Sequence, residues 1–343
     1  MIHPLPNTSP LSAAVIGAGS WGTALAHHLA GGGHCTRLWA FEPEVAVAVN
    51  QSHENTTFMP GLALHPALTA TSNLTKALAG AALVVLVMPS HVFRTVLTQA
   101  APHLPAGAIL VSCAKGIEQG SGYTMCEVAQ DVLPNASHRR LACLSGPSFA
   151  RETALGMPTA VTVASRDPQY ARYAQAAFGH GNLRVYTSPD LIGVELGGAI
   201  KNPLAIAAGM VTGLKLGHNT LAALITRGLA EMTRLSQALG GQLVTTSGLA
   251  GLGDLVLTCT SPQSRNYSVG LRLAQGESIT QITSSMKNVA EGVHNTLTVL
   301  ELAGRAGVEM PIIEAVHRVI YQGVAPTQAL QELMHRQLKA EHY

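Results

Sequence analysis

Ser12-Ala-Ala-Val-Ile-Gly17-Ala-Gly19-Ser-Trp-Gly22-Thr-Ala-Leu-Ala26 decides the fold. A short apolar run enters three spaced glycines and leaves as an alanine-rich helical pattern. In a G-x-G-x-x-G placed between strand and helix, each glycine has a task. Gly17 permits a tight turn, Gly19 lets the backbone approach a pyrophosphate, and Gly22 lets the helix pack closely on the strand. The helix N-terminus then faces the phosphates. The spacing alone is a weak signal; its agreement with strand, loop and helix points to dinucleotide binding.

Working outward, strand-like and helical runs alternate. Residues 12–17 and 36–40 read as strands, with helices over 20–30 and from Pro43. The continuous apolar run 83–88 suits a central parallel strand. Residues 108–113, 141–144, 160–164 and 183–186 are further strands. This alternation predicts an α/β fold with a Rossmann-like, doubly wound, mainly parallel sheet. After residue 189 strand signals stop. Helical patterns follow over 191–211, 220–239, 290–306, 311–321 and 327–338. The expected division is a dinucleotide-binding domain, 1–189, and an all-helical substrate and catalytic domain, 190–343, meeting over a cleft.

Composition narrows the function. The chain has 343 residues, 47% hydrophobic and 12% charged, with net charge +2 and mean hydropathy +0.24. A chain this apolar is not disordered. No basic tract offers nucleic acid a footprint. The apolar run 77–88 is too short to span a bilayer. The longer 191–214 run carries Glu195, Lys201 and Asn202, which suits a buried helix. The N-terminus lacks a basic region before its apolar stretch, so no signal peptide is expected. Five scattered cysteines without C-x-x-C argue for the cytosol and against a metal site.

Scarcity makes each charge informative. Of six lysines and four aspartates, Lys115, Lys201 and Asp254 lie in apolar, glycine-rich stretches. A buried charge costs several kcal/mol unless paired. Lys115 follows a buried strand at the sheet's carboxyl edge, where ligands sit in such folds. Lys201 lies in a small-residue helix, where desolvation lowers a lysine pKa towards values useful for proton transfer. Asp254 reads as a partner for Lys201 or as a helix N-cap after a glycine turn. Ser264-Arg265-Asn266 precedes a helix and suits a phosphate. Glu42, twenty residues beyond Gly22, reads as a ribose ligand or a solvated charge, with Phe41 beside it for adenine stacking.

These residues carry a resemblance. G-A-G-S-W-G-T-A-L-A (17–26), S-G-P-S-F-A (145–150), V-E-L-G-G-A-I-K-N (194–202), I-T-R-G-L-A-E-M (225–232), G-L-A-G-L-G-D-L-V-L-T-C-T (248–260), S-R-N (264–266) and V-A-E-G-V (289–293) resemble the soluble, bacterial-type NAD(P)-dependent glycerol-3-phosphate dehydrogenases. The resemblance runs from about residue 12 to 335. It implies reversible reduction of dihydroxyacetone phosphate to glycerol 3-phosphate, feeding phospholipid synthesis. It implies Lys201 as the proton-transfer group, and Lys115 touching substrate and cofactor. Gly146, Ser148, Asp254, Ser264, Arg265 and Asn266 complete the implied substrate pocket. Gly17, Gly19, Ser20, Trp21, Gly22, Phe41, Ala150, Arg265, Val289 and Glu291 belong to the implied NAD or NADP site.

Two departures stand out. Pro203 replaces the aliphatic residue usual after Lys-Asn, and proline inside a helix removes a hydrogen bond and tends to kink it. Phe41 stands where many bacterial relatives have a basic residue, which leans away from a strong NADP preference. A homodimer is compatible with the apolar helical part. Two other functions fit fewer of the motifs: another lysine-dependent hydroxyacid dehydrogenase of the same superfamily, or a dinucleotide sensor with no use for Lys201.

Overall fold

Eight strands form one sheet in the order β3-β2-β1-β4-β5-β6-β7-β8. They are β1 (Ser12–Ile16), β2 (Cys35–Trp39), β3 (Thr69–Thr71), β4 (Leu83–Leu86), β5 (Ile109–Ser112), β6 (Leu141–Ser145), β7 (Thr159–Ala164) and β8 (Leu183–Ser188). The computed structural model describes residues 10–286, 291–338 and 340–341. The strand order reverses between β1 and β4, so a crevice opens at their carboxyl ends, the usual ligand position in such sheets.

The central strands are apolar throughout because both faces are covered. Ala13, Val15, Leu83, Val85, Ile109 and Val111 face one core layer. Ala14, Ile16, Val84, Leu86 and Leu110 face the other. Two features differ from the sequence expectation. The three-residue β3 adds an edge strand beside β2. β7 runs antiparallel to β6, and β8 then continues parallel to β7.

Beyond β8 the described residues are helical or irregular. The Leu191–Gly213 helix is the axis of a second core, with Leu196, Ile200, Leu204 and Ile206 packed among Met232, Val299, Ile313 and Val316. It is long and apolar enough to cross a membrane, but 94% of its apolar window is buried inside the protein. It crosses the Arg265–Ala274 helix in backbone contact. A Cβ on Gly209 would sit 2.0 Å from Tyr267 O, and one on Gly270 would sit 1.9 Å from Ile206 O. That contact brings residues 264–266 close to Lys201-Asn202.

The helix runs unbroken through Pro203. Proline has no N–H for the carbonyl four residues back, which here is Ala199 O. The Asn295 side-chain amide donates to it at 3.5 Å. The I-T-R-G-L-A-E-M stretch has a structural task of its own. Buried Glu231 accepts the Ile312 and Ile313 N–H groups at 2.7 and 3.4 Å, capping the Pro311–Gln322 helix. Burial pushes its carboxyl up to about 7, against those two backbone hydrogen bonds.

Candidate active site at the carboxyl edge of the sheet

The glycine loop follows β1. Gly17 has φ +117°, and a Cβ there would meet Val87 O at 3.0 Å. A Cβ on Gly22 would sit 1.8 Å from Gly17 O, so the helix can only begin this close to the strand without a side chain. Gly19 caps the Ser20–Gly31 helix in extended backbone, with no heavy atom within 4 Å of a built Cβ. That cradle of open backbone at a helix N-terminus fits a pyrophosphate. Gly22→Ala is expected to cost about 1–3 kcal/mol, the usual range for overpacking, and to abolish saturable NADH binding. Thermal melting and fluorescence titration measure the two effects; unchanged NADH affinity would count against the cradle.

Other implied cofactor residues spread along the same edge. The Ser20 hydroxyl donates to Phe58 O at 2.7 Å. Half-buried Trp21 packs against the sheet core. Phe41, just beyond β2, is 76% exposed and meets Trp39 edge-on. Glu42 occupies the N-cap of the Pro43–Ser52 helix without a side-chain capping bond. Arg37 turns to Ser12 Oγ and Ala79 O. Ala150 opens the Ala150–Ala154 helix. Val289 lies outside the described residues.

The two suspect lysines meet on the suspect aspartate. Lys115 Nζ donates to Asp254 Oδ2 at 2.6 Å and to Gly146 O at 3.4 Å. Lys201 Nζ donates to Asp254 Oδ1 at 2.6 Å and to Thr258 Oγ1 at 2.8 Å. The Thr258 hydroxyl donates its hydrogen bond to Asp254 O at 2.6 Å, leaving a lone pair to accept from the ammonium. Asp254 is therefore not an N-cap. A wide π turn, Leu249–Gly253, leads directly into it, and it is the first residue of the Asp254–Thr260 helix. Such turns recur at functional sites.

Small residues allow this convergence. A Cβ on Gly197 would sit 2.4 Å from Ala250 O, so the glycine-rich run presses directly on the helix carrying Lys201. A Cβ on Gly198 would sit 3.3 Å from Lys115 Cγ, so the lysine stem lies against the same helix. Gly146, at φ +145°, follows β6 and turns its carbonyl to Lys115 and to the Ser148 hydroxyl, 3.1 Å away.

Electrostatics follow from this packing. Burial pushes the Lys201 ammonium down to about 8; Asp254 opposes the shift and Lys115 adds to it. Burial alone would raise the Asp254 carboxyl, but the two ammonium groups outweigh it and hold the group below the usual carboxylate range. The cluster has two positive groups and one negative one, an excess that suits an anion.

A second chain of contacts borders the first. Ser264 caps the Arg265–Ala274 helix, accepting the Tyr267 N–H at 3.2 Å. Buried Asn266 donates to Asn202 Oδ1 at 3.0 Å and accepts the Gly292 N–H at 2.9 Å. Burial raises the Glu291 carboxyl, against the charge of Arg265 and the Ser90 N–H. The structure thus joins Lys115, Gly146, Lys201 and Asp254 directly and sets Asn202, Asn266 and Gly292 beside them. The glycine loop and Phe41 share the sheet edge with Lys115 but make no hydrogen bond to this cluster among the described residues. Thr258 escaped the sequence reading. Its signal was its position, one helical turn after Asp254.

Comparison with known proteins identifies the family. The family model for the NAD-dependent glycerol-3-phosphate dehydrogenase N-terminus matches residues 12–171, and that for the C-terminus matches 190–331. A protein of Geobacter sp. (strain M21) named glycerol-3-phosphate dehydrogenase [NAD(P)+] is 52% identical over 328 residues, covering 96% of this chain and 98% of its own length. A crystal structure of glycerol-3-phosphate dehydrogenase from Coxiella burnetii superposes with a TM-score of 0.90 at 41% identity, covering 95% of this chain and 99% of that one. A ketopantoate reductase of Ralstonia eutropha shares the fold, at TM-score 0.58 and 17% identity over 95% of this chain and 100% of that one. With both family models matched, the chain belongs to the NAD-dependent glycerol-3-phosphate dehydrogenases.

Proposed function

We propose that the protein reduces dihydroxyacetone phosphate to glycerol 3-phosphate, reversibly and with NAD(P)H, supplying glycerophospholipid synthesis. The observation that carries this is the buried carboxylate of Asp254 shared by Lys115 and Lys201. When bound, the nicotinamide supplies the hydride. The chain's own groups do the rest. Lys201 lends a proton to the developing alkoxide in reduction and recovers it in oxidation. Its pKa of about 8 lets it serve both directions near neutral pH. Asp254 holds the lysine in place, and Lys115 polarises the substrate and touches the cofactor.

Gly146 and Ser148 line the substrate in this reading, and Ser264, Arg265 and Asn266 receive its phosphate. Gly17, Gly19, Ser20, Trp21, Gly22, Phe41, Ala150, Arg265, Val289 and Glu291 hold the cofactor. The division at residues 189 and 190 sets a dinucleotide-binding part against a helical catalytic part. The same reading places the enzyme in the cytosol, without nucleic-acid partners or membrane insertion, and is compatible with a homodimer.

NADH oxidation with dihydroxyacetone phosphate tests the reaction. Turnover of small keto acids at a comparable kcat/KM would favour a hydroxyacid dehydrogenase instead. In the same assay NADPH is expected to be no better than NADH, because Phe41-Glu42 offers a ring and a carboxylate where a 2′-phosphate needs a cation. A large NADPH preference would overturn that expectation.

A further inference from the structure

Glu195 is buried on the same helix as Lys201, six residues nearer its N-terminus. Oε1 accepts the Cys126 N–H at 2.8 Å, and Oε2 accepts the Thr124 hydroxyl at 2.9 Å. Both partners open the Met125–Val132 helix, where unpaired N–H groups and the positive dipole end favour a carboxylate. Thr124 is also one end of a small hairpin. It bridges Ile117, and the Glu118 N–H donates to Tyr123 O at 2.8 Å. Lys115 precedes that hairpin by two residues.

The two lysines are therefore joined twice. Asp254 joins their ammonium ends, and Glu195 joins the backbone segments that carry them. Arg94 on Glu118, and Arg305 on the Gly120 and Ser121 carbonyls, also hold the hairpin. Those ties come from other helices and lie nearer solvent. Glu195 comes from the helix that carries Lys201.

We propose that Glu195 is a positioning residue for the proton-transfer step, setting the distance between Lys115 and Lys201 by fastening the Leu191–Gly213 helix to the hairpin after Lys115. The inference rests on the roles given to the two lysines above. It predicts a loss that passes through Lys115. A displacement of about 1 Å at a reacting group can cost on the order of 10²-fold. A carboxylate that merely stabilised the fold would move the melting temperature and leave this coupling untouched.

The test is a double-mutant cycle on full-length protein, read as kcat for dihydroxyacetone phosphate and KM for NADH. Glu195→Ala is expected to lower kcat about 10- to 100-fold, with any rise in the NADH KM no larger than that of Lys115→Met, and to add less than about 3-fold in a Lys115→Met background. Glu195→Gln keeps an acceptor for Cys126 and is expected to restore most of the rate. Should the alanine variant fail to fold, Glu195→Asp, one methylene shorter, carries the same cycle with a loss of roughly 3- to 30-fold. Equal losses in both backgrounds, or a lower melting temperature at unchanged kcat, overturn the proposal. Failure of the unmutated protein to reduce dihydroxyacetone phosphate, or full activity of Lys201→Met, overturns the active-site reading instead.

Discussion

Lys201→Met is expected to lower the turnover of dihydroxyacetone phosphate by about 10²–10⁴-fold, the range typical of a lost acid–base group. Methionine keeps much of the length and none of the charge. Asp254 still has Lys115 at 2.6 Å, so the site does not acquire an unpaired carboxylate. NADH affinity stays near that of the unmutated protein, because the glycine loop is untouched. The unmutated enzyme adds a pH signature. In the proposed mechanism reduction needs the ammonium form, so its rate is expected to fall as pH rises through about 8. Oxidation needs the neutral amine, so its rate rises over the same interval. A single-turnover pH series in both directions checks the crossing. Limbs moving in the same direction would exclude Lys201 as the shared group.

Asp254→Asn has the larger effect on the molecule as a whole. It leaves the buried Lys201 ammonium and the half-buried Lys115 ammonium facing a neutral amide. Removing one partner of a buried ion pair costs about 3–5 kcal/mol. The carboxylate opposes the fall in the Lys201 pKa, so its loss pushes that pKa further down. The variant's limit for reduction moves to lower pH. Its stability behaves oppositely. Lys201 then has a folded pKa well below its unfolded value, so the unfolded chain binds more protons and stability rises with pH over that interval. Melting curves at pH 6 and pH 9 should show the larger deficit at pH 6. An equal deficit at both would mean that Lys201 does not depend on Asp254 for its charge.

Much of this was legible in the sequence. The glycine loop named its own strand and helix because each glycine answers a separate steric demand, seen at Gly17 and Gly22. The rule that a sparse charge in apolar sequence needs a partner selected Lys115, Lys201 and Asp254, which the structure then placed in contact. The rule stopped short of the glutamates. Glu195 and Glu231 are as buried as the lysine, but Glu231 is satisfied by two backbone N–H groups and Glu195 by one N–H and the Thr124 hydroxyl, partners that no sequence pattern displays. Asp190, in a turn-like stretch, is buried too, as the cap of the Leu191–Gly213 helix.

Other features lay beyond pattern reading. Apolar alternation does not record strand direction, so the reversal at β7 was invisible. β3 is only three residues long and is defined by its pairing with β2. Thr258 carries no charge to draw attention. Pro203 announced a missing hydrogen bond, but the amide that replaces it lies on a helix far along the chain.

The pairing of Lys115 with Asp254 joins residues 139 positions apart. At ribosomal rates of about 5–20 residues per second, roughly 7–28 s separate the synthesis of the two. The nascent amino-terminal half therefore emerges with its lysine lacking a counterion. Asp254 belongs to the last third of the polypeptide, so the ion-pair cluster of Lys115, Lys201 and Asp254 closes only once that part has been delivered.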